Sequence, residues 1–318
     1  MEQNDTQSDF AARLTEQLGY NAKIISDGAR VKAIRDGMAK YLTNESSVLD
    51  VGAGVGIWAI RAAKLGARRV VAVEIEECLI PMLRKHVEEN GVADRIEIVH
   101  GDITKIDLNE RFDLIIGEVF GATVFGEATI ETFINMRDRF LAPGGAVIPQ
   151  RMRMMAAPVL RSEALPEQIA DVGVSFDFMQ SLLMNYYSNL GIGQRQALQF
   201  AAEPQCLVEV DYQTVTKPLP AVPLFAEWEI QDLSQVDSIV TFTLVDYAPG
   251  VTLNSLESIA WAAESYRMVP FDTRAGRLSF SLMIDEKGSS WTFAAPSHSD
   301  LRPQTYAPIF AFTRAKIA

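Results

Sequence analysis

Cysteine and histidine are scarce in this chain. Two cysteines, Cys78 and Cys206, are too few for a disulfide framework or a zinc site, so a reducing, cytoplasmic setting is the expectation. His86, His100 and His298 have no evident partner in the sequence and read as structural or surface residues. No apolar run approaches the roughly 18 residues of a membrane span, which argues against a membrane protein. The opening "MEQNDTQSDF" lacks the basic-then-apolar pattern of a secretory leader. Basic charge is also short: 29 Lys and Arg stand against 41 Asp and Glu, a net charge of −12. The densest basic cluster is "ARR" at 67–69, so nothing supplies the cationic footprint that displaces counterions from nucleic acid. An acidic surface is compatible with a cationic substrate. Internal repeats and low-complexity tracts are absent as well.

What remains is an ordinary globular composition, 48% hydrophobic and 22% charged over 318 residues, enough for two domains. From 47 to 149 short β-branched runs alternate with longer amphipathic stretches. The runs are "SVLDV" (47–51), "RVVAVE" (69–74), "RIEIVH" (95–100), "FDLIIG" (112–117) and "GAVIP" (145–149), with helix-like segments near 56–65, 76–90 and 127–141. Such alternation predicts a parallel sheet covered on both faces, an α/β Rossmann-like arrangement. Residues 6–43 read as two or three helices ahead of it. After Pro149 the pattern changes to "CLVEVDYQTVT", "FAEWEI", "IVTFTLVDY", "RLSFSLMI" and "WTFAAP", predicting a mostly antiparallel β domain. A stretch at about 164–200, containing "FDFMQSLLMNYYSNL", reads as a helical insertion. The expected division is 1–149 and 150–318, with a packed interface and a cleft between.

The strongest local signal is "VLDVGAGVG" at 48–56, a buried strand running through Gly52, Gly54 and Gly56 into the helix "IWAIRAAKLG". Glycines there let the backbone approach a ligand. A dinucleotide site places its third glycine one residue later, where Ile57 stands, and a phosphate loop needs Gly-Lys-Ser/Thr, which is missing. The spacing, preceded by Asp50, resembles motif I of the class I S-adenosylmethionine-dependent methyltransferases. That resemblance implies S-adenosyl-L-methionine as cofactor, with Asp50 and the glycine backbone facing its methionine portion. It places Glu74, at the end of the next strand, on the ribose hydroxyls, and Ile103 with Thr104 at the adenine.

"IIGEVFGATVFGEATIETF" (115–133) sets Glu118 at a strand tip and Glu127 nine residues on, around an otherwise uncharged loop. Alone, either acid reads equally as a satisfied strand end or a helix N-terminal charge. Together, two carboxylates can hold a cation by forked hydrogen bonds and aim a nitrogen lone pair. The stretch resembles the double-E loop of the protein arginine methyltransferases, which implies that Glu118 and Glu127 clamp a guanidinium. The similarity continues through "MRDRFLAPGGAVIP" (136–149) and upstream into "IISDGARVKAIRDGM" (24–38), where it implies that Arg30 holds the carboxylate of the cofactor's methionine. It further implies a β-barrel-like second domain, a dimerisation arm at the insertion and a homodimer.

Several family features differ. The tyrosine motif of the first helix falls on "AARLT" (11–15), the Thr-His-Trp loop matches best at "IAW" (259–261) with Ala260 in place of histidine, and Val119, Phe120 and Ala122 replace bulkier residues. The resulting expectation is an N-methyltransferase acting on a guanidine or amine, in a protein arginine or in a small-molecule amino acid or natural product. Two alternatives stand beside it: an O- or other small-molecule methyltransferase using a glutamate as general base, and a non-catalytic cofactor-binding scaffold.

Overall fold

The computed structural model describes residues 2–119, 129–161, 173–175, 187–219, 222–267, 275–285 and 288–294. The chain begins with two helices, α1 (Glu2–Ser26) and α2 (Gly28–Met38). The alternating unit follows as β1 (Ser47–Val51), α3 (Ile57–Lys64), β2 (Arg69–Glu74), α4 (Ile80–Glu89), β3 (Ile96–His100), β4 (Phe112–Gly117), α5 (Thr129–Phe140) and β5 (Leu141–Ile148). Every strand pair of this sheet is parallel, in the order β3-β2-β1-β4-β5. Parallel neighbours require crossovers, and helices on the faces bury both sides of the strands; all five residues of β1 are buried accordingly. The chain steps from β1 outward to β3 and then returns to lay β4 on the other side of β1. The crevice at that reversal, beyond the carboxyl ends of β1 and β4, is where open α/β sheets take ligands.

The second half is antiparallel. β6 (Arg151–Leu160), β7 (Tyr187–Asn189), β8 (Gln205–Asp211), β10 (Val236–Ala248), β11 (Val251–Asn254) and β12 (Glu264–Arg267) form one sheet, ordered β7-β12-β10-β6-β8 with β11 on β10. β9 (Leu224–Ile230), β13 (Gly276–Asp285) and β14 (Gly288–Ala294) form another. The two sheets share an apolar core in which Met154, Ile239 and Tyr266 meet Trp228, Leu278 and Phe280. A short helix, α6 (Ile192–Gln196), follows β7. In the stretch read as a helical insertion, Tyr187–Asn189 is therefore a strand, because pairing with Glu264–Tyr266 decides its state over local helical periodicity; residues 176–186 lie outside the described residues.

The halves are joined by one core. Ile34, Met38, Phe133 and Ile148 cluster with Met152, Val210, Tyr212, Val245, Tyr247 and Trp261. The rings of Phe133 and Tyr212 stack at 4.1 Å between centroids. Arg137 of α5 donates through Nη1 to the carbonyls of Tyr212 (3.1 Å) and Val215 (2.6 Å). Helix α2 packs against β10 and β11, so the residues it carries face both domains. Among the described residues no helix is long and apolar enough to cross a membrane.

Candidate active site

The glycine loop leaves β1 with left-handed backbone: φ is 75° at Gly52, 55° at Gly54 and 94° at Gly56. Side-chain-bearing residues adopt this region at a cost of roughly 1–2 kcal/mol. The loop is pinned by Gly52 and Ala53 N–H groups donating to the Val73 carbonyl, each at 3.0 Å. Side chains of the protein itself approach it closely. A Cβ on Gly54 would stand 2.6 Å from Asn21 Oδ1 of α1, and one on Gly52 would stand 2.9 Å from Val119 Cγ1.

Asp50 lies beneath this loop, fully buried. Its Oδ2 accepts the Ala59 N–H at 2.8 Å, satisfying one of the amides that the first turn of α3 leaves without a helical partner. Its Oδ1 has no hydrogen-bond partner among the described residues. Burial, opposed by the Ala59 bond and reinforced by the charges of Glu118 and Glu74, pushes this carboxyl up to about 8. Glu74 ends β2, almost buried, with Oε2 accepting the Gly54 N–H at 2.6 Å and Oε1 accepting the Glu76 N–H at 2.7 Å. Its carboxylate therefore sits on the glycine loop itself. After β3, the Asp102 Oδ1 accepts both the N–H (2.9 Å) and hydroxyl (2.7 Å) of Thr104. These bonds and Lys105 bring the Asp102 carboxyl down to about 2. Ile103 turns into the main core, while Thr104 is exposed.

The two remaining described site residues meet each other. Asp27 caps α2 through Oδ1, which accepts the Arg30 N–H at 3.1 Å. The Arg30 side chain then runs to Glu118, donating from Nε to Oε1 (3.1 Å) and from Nη2 to Oε2 (2.6 Å). Both are sequestered, at 2% and 6% exposure. Burial is the largest single influence and works to lower the Arg30 pKa, but the charge and hydrogen bonds of Glu118, together with Tyr247 and Tyr20, outweigh it and hold the guanidinium above its ordinary value. Glu118 continues the β1–β4 pairing past the end of β4 by donating its N–H to the Val51 carbonyl at 3.3 Å. The Trp261 ring lies over the Arg30 guanidinium, 5.1 Å from centroid to Cζ, an attractive cation–π placement. Glu127, Phe120 and Ala122 lie outside the described residues.

The site thus brings Arg30 to Glu118 and Glu74 to Gly54, with Asp50 buried beneath the loop and raised in part by the charges of Glu118 and Glu74. Three contributors were not evident from sequence. Asp27 carries only the local signal of an N-cap. Tyr247 is wholly buried in β10, its hydroxyl pushed well up by burial and by Glu118; no sequence motif marks it. Ser258 enters only because the loop before "IAW" folds back on α2. His86 and His100 contact the carbonyls of Val55 (2.9 Å) and Ile75 (3.2 Å); His298 is outside the described residues.

Comparison with known proteins gives this geometry a context. The family described as "Methyltransferase domain" matches residues 48–145, which contain the glycine loop, Glu74 and Glu118. "Protein arginine N-methyltransferase 6" of Danio rerio is 28% identical over 237 residues, 68% of this chain and 67% of that one. The chain is arginine methyltransferase-like. "Protein arginine N-methyltransferase 1" of Schizosaccharomyces pombe is 32% identical over 165 residues, 50% of this chain and 48% of its own length. "Probable protein arginine N-methyltransferase 6" of Arabidopsis thaliana is 32% identical over 144 residues, 45% of this chain and 33% of its own length. The chain thus spans about a third to two thirds of these curated relatives. Among solved structures, the Trypanosoma brucei PRMT1 enzyme-prozyme complex with AdoHcy superposes with a TM-score of 0.73 at 22% identity. That match covers 91% of this chain and 96% of that one. Arabidopsis thaliana protein arginine methyltransferase 10 gives 0.71 at 20% identity over 91% and 98%. These two likenesses establish the fold, a parallel α/β sheet followed by an antiparallel domain. The Trypanosoma brucei complex holds AdoHcy, the product left when S-adenosylmethionine gives up its methyl group.

Proposed function

We propose that the chain is an S-adenosylmethionine-dependent N-methyltransferase whose acceptor is a guanidine or amine, in a protein arginine or a small molecule. The residues present fit the cofactor. The glycine loop has the positive φ values of a ligand cradle, and Glu74 brings a carboxylate suited to a ribose diol onto that loop. Asp50 keeps an unpartnered oxygen beneath it. Arg30 is engaged with Glu118 through its Nε–Nη2 edge, a guanidinium held at the same sheet end as the glycine loop. When bound, S-adenosylmethionine supplies an electrophilic methyl group on its sulfonium.

The observation that carries this reading is the Arg30–Glu118 fork at the end of β4. Glu118 already accepts a guanidinium in two-point geometry within the protein, and each of its oxygens has a further lone pair for a second donor. A carboxylate engaged in this way acts by orienting a cationic nitrogen and stabilising the charge it gains, rather than as an unengaged base. That favours nitrogen over oxygen as acceptor. Glu127 is proposed as the second jaw on the strength of its nine-residue spacing from Glu118.

The test uses the full chain, radiolabelled S-adenosylmethionine, and two acceptor pools: an Arg-Gly-rich peptide and the small-molecule fraction of a cell extract. The expected result is label on a nitrogen in one pool, lost in Glu118→Gln. Transfer by Glu118→Gln at near the parent rate would sink the clamp. Label on oxygen would instead establish the general-base alternative.

A further inference from the structure

Asp27 is buried to 1% exposure, and both of its oxygens are used. Oδ1 caps α2 at the Arg30 N–H. Oδ2 crosses to the other domain, accepting the Ser258 hydroxyl and the Ala260 N–H, the latter at 3.1 Å. Ser258 is itself completely buried, and its oxygen accepts the Trp261 N–H at 3.1 Å. From the opposite side, Arg195 of α6 donates from one nitrogen to the carbonyls of Ser255 (2.6 Å), Ser258 (2.7 Å) and Trp261 (2.8 Å). The loop 255–261 is therefore gathered around a buried cation and fastened to a buried carboxylate. Its last residue, Trp261, is the ring that lies over Arg30.

Helix packing alone does not require this arrangement. An N-cap needs one side-chain oxygen, and Asp27 commits its second oxygen to a segment 231 residues away in the chain. The consequence is mechanical. The start of α2, the ring of Trp261 and the guanidinium of Arg30 are fixed with respect to one another through a single carboxylate.

We infer that Asp27 and Ser258 form a positioning pair that sets Arg30 for the carboxylate end of the cofactor and, through Arg30, orients Glu118. The inference rests on the cofactor reading above. It concerns one end of the ligand only, and this supplies the discriminating measurement.

Calorimetry on the full chain compares two probes, S-adenosylhomocysteine and 5′-methylthioadenosine, which lacks the amino-acid portion. Ser258→Ala removes the hydroxyl without adding volume, and Asp27→Asn keeps one acceptor while placing an amide on the other side. Loss of one charge-assisted hydrogen bond predicts about a tenfold weakening of S-adenosylhomocysteine in Ser258→Ala and more in Asp27→Asn. Methylthioadenosine binding should stay within about twofold of the parent on the same reasoning. Binding stoichiometry with methylthioadenosine reports how much of each variant is folded. Unchanged S-adenosylhomocysteine affinity in both variants, or equal weakening of both probes, would overturn the inference and leave the cofactor reading intact. A parent chain that binds neither probe would overturn both.

Discussion

The Arg30–Glu118 pair gives a quantity that unfolding experiments can measure. Glu118→Gln keeps the shape of the side chain and one carbonyl oxygen, but it replaces a two-point ionic fork by a single neutral acceptor and turns an amide toward the guanidinium. Arg30, at 2% exposure, stays charged. A buried ion deprived of its partner typically costs about 3–5 kcal/mol. Arg30→Met removes the cation with little change in volume and leaves Glu118 as the orphan, at a similar cost. In the double variant neither orphan charge exists, so its loss should fall short of the sum of the singles by about 2–3 kcal/mol. The assay is urea unfolding of all four chains, read as a change of midpoint at constant slope. Single variants that each lose less than about 1 kcal/mol and add within about 0.5 would refute the argument. They would mean that the pair behaves as a solvated surface bridge.

Two further outcomes are expected. The Asp50 carboxyl is raised to about 8 by burial, whereas in the unfolded chain it titrates near about 3.9. Between those values the native state binds the extra proton, so this group's contribution to stability falls as pH rises from about 4 to 8 and is flat beyond. Asp50→Asn, which can still accept the Ala59 N–H, should flatten that part of the midpoint-versus-pH curve, and parallel curves for parent and variant would contradict the assignment. Gly54→Val imposes a β-branched side chain at φ 55° and should weaken S-adenosylhomocysteine binding by about fivefold to thirtyfold in calorimetry, since about 1–2 kcal/mol of strain falls on the cradle itself. Parent-like affinity would remove the glycine loop from the cofactor site.

Much of the first half was legible in sequence because its signals are local. β-branched runs such as "SVLDV" and "RVVAVE" bury on both faces whatever they pack against, and they form strands at the expected positions. The glycine loop declares itself by spacing, since its conformation forbids side chains there. The strand state of Tyr187–Asn189 was not legible, because it is supplied by a partner strand nearly 80 residues later. Glu118 and Arg30 were each nameable from their motifs, but their contact was not. They are 88 residues apart, and only the packing of α2 across the sheet end brings them together.

The sequence by itself determined the alternation that makes the parallel sheet, the place of the glycine loop and the chemistry available at the tips of β1, β2 and β4. Each of these depends on residue type at short range. The tertiary structure alone decided which charges neutralise one another. A buried ion pair and a shared N-cap depend on distance and desolvation, which linear order does not encode. Asp27, Ser258 and Trp261 thus become parts of one site only when the antiparallel domain closes on α2.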